Sequence, residues 1–212
     1  MGTDKAALPW RGTTLLGHVL TVLADAVAGP LVVVGSADRP HPLDTAGPPP
    51  ATARDRVVRA ADPVADQGPL RGIATGLVAV AEDDPAVTAV FVASVDLPRL
   101  HAPFVRAVLT HRVSDVEVAL PVLDGHRQPL AAAYAPSLGA RAAGLLDDGE
   151  VRPAALFARS RVRELDAAIL LADPALAAVD PGLRAARGVN TPAELATLTD
   201  PTPRPASPPE AT

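Results

Sequence analysis

The run Val-Thr-Ala-Val-Phe-Val-Ala-Ser-Val at 87–95, closed by Asp96-Leu97-Pro98, constrains this chain more than any other stretch. β-Branched and aromatic residues pack well on a pleated backbone, so a run this apolar predicts a strand. Leu31-Val32-Val33-Val34, ending at Gly35, predicts a second strand of the parallel kind, buried on both faces. In open parallel sheets, ligands bind beyond the carboxyl ends of the strands. Asp96 falls at such an end. It is placed either to hold Mg²⁺, which takes one or two protein carboxylates beside substrate phosphates, or to shape the turn into a helix at 103–109.

Helical patterns alternate with these strands, and the alternation predicts an α/β fold. Thr13 or Thr14 can cap a helix with Leu15, Val19, Leu23 and Val27 on one stripe, stopped by Gly29-Pro30. Val57-Val58 predicts a short strand. Pro69 then stands at the first position of a helix whose stripe is Leu70, Ile73, Leu77 and Val80. Gly72 and Gly76 lie four apart on a neighbouring face, each costing about 1 kcal/mol relative to Ala. Something must approach that bare backbone, either another helix or a substrate over the helix start.

Further on, 116–121 and 129–134 predict two strands joined through Asp124-Gly125, a hairpin-turn pair. Helices are expected at 138–146 and 153–157, and a last short strand at 162–165. Thr191, with Glu194 three positions on, has the spacing of a capping box and opens a terminal helix. Residues 36–55 hold Pro40, Pro42, Pro48, Pro49 and Pro50 and predict a long mobile loop. Five prolines follow Asp200 with no apolar pattern, so the division expected is one domain at 1–198 and a disordered tail at 199–212.

Composition excludes several classes. Aromatics are 2% of the 212 residues, so the core must be Ala, Val and Leu. The net charge of −5 and the absence of a basic cluster argue against nucleic acid as a partner. No apolar run reaches the roughly 18 residues of a membrane span, and the first residues do not form a signal peptide. A cytoplasmic location is therefore expected. With no Cys and five scattered His, neither a disulfide framework nor a structural zinc site is expected.

At the amino end, Met1-Gly2-Thr3-Asp4-Lys5-Ala6 reads like the close of a phosphate-binding loop. Gly2 permits close backbone approach, and Lys5 offers a point charge to phosphate oxygens. The other reading of these residues is a frayed terminus with a solvated lysine.

Taken in order, Met-Gly-Thr-Asp-Lys-Ala, Asp62 ahead of Gly68-Pro69-Leu70-Arg71-Gly72-Ile73, Asp96-Leu97-Pro98, Gln128-Pro129-Leu130-Ala131-Ala132-Ala133-Tyr134 and Val189-Asn190-Thr191-Pro192 resemble the molybdenum cofactor guanylyltransferases. These belong to the nucleotidyltransferases with a Rossmann-like domain, and the resemblance covers residues 1 to about 198. It implies a mainly parallel sheet flanked by helices. It also implies transfer of GMP from GTP to the phosphate of molybdopterin, with release of pyrophosphate and Mg²⁺ as cofactor. Lys5 and Asp96 would be catalytic, Asp96 holding the metal. Gly2, Lys5, Asp62, Gly72, Asp96 and Asn190 would line the nucleotide and pterin sites. Molybdoenzymes or their chaperones are the implied protein partners.

Two departures from the family pattern stand out. The family opens with a strand and Leu-Ala-Gly-Gly-x-Ser-x-Arg-Met-Gly, whereas this chain begins at that Met. The resemblance thus implies a chain without its first, central strand and glycine-rich loop, as a start codon placed too late would produce. Gly188 stands where the family usually has Asn, which bears on the pterin contact assigned to Asn190. A cytidylyl- or sugar-phosphate transferase and a non-catalytic nucleotide-binding remnant are the alternatives.

Overall fold

The computed structural model describes residues 5–64 and 68–199. Gly2 and the expected tail beyond Thr199 lie outside the described residues.

A short pair of strands, β1 (Pro9–Trp10) and β2 (Thr13–Thr14), precedes helix α1 (Leu15–Ala26). Thr14 caps α1: its hydroxyl accepts from the Gly17 N–H at 3.2 Å. The far end is closed from outside, because Arg56 donates to the carbonyls of Ala24 at 3.0 Å and Val27 at 2.6 Å. A cation there satisfies carbonyls that the helix leaves unpaired.

Strand β3 (Leu31–Ser36) pairs in parallel with β4 (Val57–Asp62), in a register that sets Leu31 beside Val57 and Ser36 beside Asp62. The segment between them is less irregular than its prolines suggest. It holds the short helix α2 (Pro42–Thr45), whose cap His41 accepts from the Leu43 N–H at 3.2 Å through Nδ1. The His41 Nε2 lies 3.1 Å from the Val33 carbonyl, so this ring pins α2 to the strand.

Helix α3 (Gly68–Asp83) follows, with Leu70, Ile73, Leu77 and Val80 buried as the periodicity predicts. The strand expected at 87–95 is paired over β5 (Val90–Ala93) alone. Then come α4 (Ala102–Thr110), β6 (Val118–Leu123), β7 (His126–Arg127), β8 (Ala131–Tyr134), α5 (Leu138–Asp147), α6 (Pro153–Phe157) and β9 (Val162–Leu165). Two short helices absent from the sequence-based expectation, α7 (Ala167–Leu171) and α8 (Pro174–Val179), are each capped by an aspartate: Asp166 and Asp173. The terminal helix α9 (Pro192–Thr199) begins where Thr191 predicts, its hydroxyl accepting from the Glu194 N–H at 3.1 Å.

The second sheet has the order β5-β8-β6-β7, with β9 against β6. Its pairings are antiparallel apart from β6 with β9, so the sheets are mixed and the expectation of a mainly parallel sheet is corrected. The cause is local. Asp124 (φ 51°) and Gly125 (φ 76°) both take the left-handed region, and such a pair folds β6 straight back into a hairpin.

Helices cover both faces of this sheet. Along β6, Val118 and Leu120 pack with α3 and α5 on one side, while Ala119 and Leu123 pack with α4 on the other. Alanines and leucines fill most of both layers, as so few aromatics require. Burial also drives the Tyr134 phenol far above its ordinary pKa, with its hydroxyl donating to the Pro129 carbonyl at 2.7 Å.

Candidate active site

Lys5 opens a 3-10 turn, Lys5–Ala7, and Ala6 beside it is buried, which anchors the turn against α1 and β3. The Lys5 ammonium thereby reaches the carboxyl end of β5. It donates to Asp96 Oδ2 at 2.9 Å and to the Val189 carbonyl at 2.9 Å. Asp96 is fixed from behind by Leu97 and Leu100, both buried under α4. Its backbone carbonyl accepts from the Val189 N–H at 3.0 Å. Three chain segments, remote in sequence, therefore meet at one carboxylate.

Gly188 completes this cluster. A Cβ built there would lie 3.3 Å from Asp96 Oδ1 and 3.5 Å from the Asp96 carbonyl. A side chain would press on the carboxylate that Lys5 holds, and the Gly at the position where the family pattern has Asn gains a physical reason. Asn190 is exposed, and its N–H donates to Glu194 Oε2 at 2.7 Å. The capping box of α9 thus fixes the backbone of Asn190 next to Val189.

Asp62 lies on the second part of the rim, at the end of β4. Its Oδ1 accepts a short hydrogen bond from the Thr75 hydroxyl on α3, and its Oδ2 would lie 3.9 Å from a Cβ on Gly72. Asp62 and Gly72 are brought together as the sequence pattern suggests. Gly76 faces Val34, with a Cβ–Cγ2 separation of 3.5 Å, so what lies against the two glycines is β3 and β4 and not a second helix. Gly72 and Lys5 both line one slot between β3 and β5, which relates the Asp62 group to the Asp96 group across that opening.

Sequence reasoning missed several members of the rim. Thr75, one residue before Gly76, orients Asp62. The Gly188–Val189 backbone, rather than the Asn190 side chain, is what contacts Lys5 and Asp96. At the end of β3, Ser36 donates to Asp38, and that hydroxyl holds the exposed Asp38 carboxyl below its ordinary pKa. A hydroxyl three residues from Gly72 was a visible signal for Thr75; backbone contacts leave none.

Among the described residues no three His, Asp or Glu side chains converge on a point that could hold a metal. Asp96, its side chain about one-quarter exposed, is the carboxylate that Lys5 contacts. That donor set fits a hard divalent cation only in the way Mg²⁺ commonly binds, with one protein carboxylate and the remaining ligands from phosphates and water. Lys5 now sits on the oxygen such a cation would share.

Comparison with known proteins bears on the family and the fold. A family model described as the MobA-like NTP transferase domain matches residues 1–167. A probable molybdenum cofactor guanylyltransferase of Bacillus cereus is 25% identical over 133 residues, 63% of this chain and 60% of that protein. The chain thus spans about 60% of the length of that relative. The Bacillus anthracis protein of the same description is 24% identical over 162 residues, 76% of this chain and 75% of the other. Molybdopterin-guanine dinucleotide biosynthesis protein A from Archaeoglobus fulgidus superposes with a TM-score of 0.62 at 19% identity, over 92% of this chain and 89% of that one. Rv0371c from Mycobacterium tuberculosis, in a complex with manganese, superposes with a TM-score of 0.56 at 22% identity, over 76% and 80%. These likenesses carry the fold, and the match over 1–167 carries the family: this chain belongs to the MobA-like NTP transferase domain family.

Proposed function

We propose that this chain transfers GMP from GTP to the phosphate of molybdopterin. The observation that carries the reading is the meeting of Lys5, Asp96 and Val189 at the carboxyl end of β5. The acceptor phosphate is itself the nucleophile, so no Ser or Cys is required. One of its oxygens attacks the α-phosphorus of GTP, the new P–O bond forms, and the bond to the bridging oxygen breaks to release pyrophosphate. The protein's task is alignment and charge compensation.

Lys5 supplies a positive charge for the phosphates, and Asp96 with the Val189 carbonyl aims it. Asp96 would hold the divalent cation, which offsets charge on the phosphoryl group and the leaving pyrophosphate when bound. Asp62, oriented by Thr75, lies by Gly72 at the start of α3 and belongs on the nucleotide side. Asn190 lies on the pterin side, its backbone held by Glu194. The manganese complex of the superposing Rv0371c supports a cation in the site, and the Bacillus relatives support guanine and molybdopterin as substrates. The product would pass to a molybdoenzyme or its chaperone.

The test is pyrophosphate release by the purified protein given GTP, Mg²⁺ and molybdopterin, with CTP as competitor. Release that depends on both substrates is expected. Preference for CTP would change the base, and no release at high enzyme concentration would leave a nucleotide-binding remnant.

A further inference from the structure

Two short segments meet twice beside the candidate site. The first runs from Asp96, just past β5, to His101, the cap of α4; the second runs from Asp180, which closes α8, to Val189. At one end the Asp96 carbonyl accepts from the Val189 N–H at 3.0 Å, and the Val189 carbonyl accepts from Lys5 at 2.9 Å. At the other end His101 Nε2 lies 3.3 Å from Asp180 Oδ2. The two segments thus close a ring. One corner holds the peptide that aims Lys5, and the opposite corner is a histidine–aspartate pair.

A histidine beside a carboxylate has the form of a general base, but the bonds of this ring exclude that role. His101 Nδ1 accepts from the Phe104 N–H at 3.3 Å, so in the neutral ring the proton sits on Nε2 and points at Asp180. Neither nitrogen is left to take a proton from a substrate. Asp180 is one of two buried charged side chains among the described residues. Its Oδ2 also accepts from the Ala185 N–H at 2.8 Å, and its carbonyl accepts from the Leu183 N–H at 3.0 Å. Between these bonds Leu183 is buried with a φ of 47°, a left-handed conformation that persists only where the surroundings impose it. Burial pushes the Asp180 carboxyl up, yet the N–H groups of Arg184 and Ala185 and the His101 ring bring it below the ordinary aspartate value. It is therefore an anion at neutral pH.

We propose that His101 and Asp180 are positioning residues, which hold segment 180–189 in the register that sets the Val189 carbonyl on Lys5. Leu97, Leu100 and Phe104 share one apolar cluster with Leu183, Ala185 and Ala186, so packing alone keeps the two segments together. Apolar contact is non-directional and permits sliding, whereas hydrogen bonds to a charged group fix the register. Further along, Arg187 donates to Asp124 at 2.8 Å, but both side chains are mostly exposed and pin the segment weakly. The pair matters most when Asp96 gives its oxygen to a cation. The Val189 carbonyl then keeps Lys5 in place, and Val189 stays where Asp180 puts it. The register rests on geometry alone; its use in handling GTP rests on the transfer reading above.

Two substitutions separate the two ring nitrogens. His101→Asn keeps an acceptor near the Nδ1 position for the Phe104 N–H and removes the bond to Asp180. His101→Gln keeps a donor near the Nε2 position and gives up the cap. Hydrogen exchange without substrates is read first. In His101→Asn the Val189 amide is expected to exchange at least about tenfold faster while the amides of β8 keep their rates, the mark of a local opening. In His101→Gln the Val189 amide should stay within about threefold of wild type while the melting temperature falls by about 2–4 °C, the loss of one cap. An unchanged Val189 amide in His101→Asn overturns the proposal, as does one that speeds up together with β8, or equally in both variants. Kinetics reads the consequence. His101→Asn should raise the KM for GTP about three- to tenfold with kcat within about twofold, and should add nothing in a Lys5→Ala background, because it acts through that lysine. An additive effect there overturns the proposal. If the wild-type protein releases no pyrophosphate, the transfer reading fails alone, and the exchange rates still decide whether the pair sets the register.

Discussion

Lys5 Nζ stands 2.9 Å from Asp96 Oδ2 although 91 residues separate them in the chain. The pair is partly exposed, 36% for the lysine side chain and 24% for the aspartate, so its worth to folding is only about 0–1 kcal/mol. Geometry, not stability, is what the pair provides. It fixes a cation and an anion at the carboxyl end of the most apolar strand.

Asp96→Asn is accordingly expected to reduce pyrophosphate release by at least about 100-fold while the melting temperature barely moves. Lys5→Ala is expected to act chiefly on GTP, raising its KM by about 10- to 100-fold, the loss of one charge-assisted hydrogen bond. Steady-state kinetics with circular dichroism melting checks both. Wild-type turnover in Asp96→Asn would reduce Asp96 to a turn residue.

Gly188→Ala brings a methyl to 3.3 Å from Asp96 Oδ1, which Lys5 and the Val189 backbone keep from moving aside. Turnover should fall about tenfold through misalignment. Gly188 is exposed, so stability should change by no more than about 0.5 kcal/mol. The comparison of kcat with the denaturation midpoint separates the two effects.

Away from the site, Glu117 is 8% exposed and accepts from the Arg161 N–H at 2.9 Å, with Arg141 Nη2 at 3.1 Å. The Arg161 N–H first, then the Arg141 guanidinium, holds its carboxyl below the usual glutamate range. A group depressed on folding stabilises the native state above its unfolded pKa, and that contribution is lost as pH falls through the folded value. The loss should therefore begin below about pH 4.5. Glu117→Gln should cost about 1–3 kcal/mol at pH 7 and flatten the acid limb of the stability curve, measured by urea denaturation across pH.

Where α3 meets α5, a Cβ on Gly139 would lie 3.0 Å from both the Val78 nitrogen and its Cγ2. Backbone cannot yield as a flexible side chain can. Gly139→Ala should destabilise by about 1–3 kcal/mol despite its better helix propensity, read from the same denaturation curves.

Much of this fold was legible in the sequence because single residues carry it. Thr14, Thr191 and the Asp124-Gly125 turn act within a few neighbours, so their structural outcome follows from local chemistry. The order of strands was not legible, since it depends on which edges meet across the whole chain; β8 enters between β5 and β6 with no signal in its four residues Ala-Ala-Ala-Tyr. The paired length of β5 also fell short of 87–95: among the described residues it pairs with β8 alone, over Val90–Ala93. Within the site, Asp62 with Gly72, and Lys5 with Asp96, were traceable as side-chain types in order along the chain. Val189 was not, because its part is played by a peptide group that any residue possesses.

The bond from Lys5 to the Val189 carbonyl spans 184 positions, nearly the whole described chain. Contacts so remote in sequence form late, once the intervening loops have already been closed by nearer ones. During synthesis the lysine is made early and waits for its carbonyl partner until almost all of the protein has emerged. A nascent chain can thus set Lys5 on Asp96 before it has made Val189, and the second of the two bonds that aim the lysine is added only near the end.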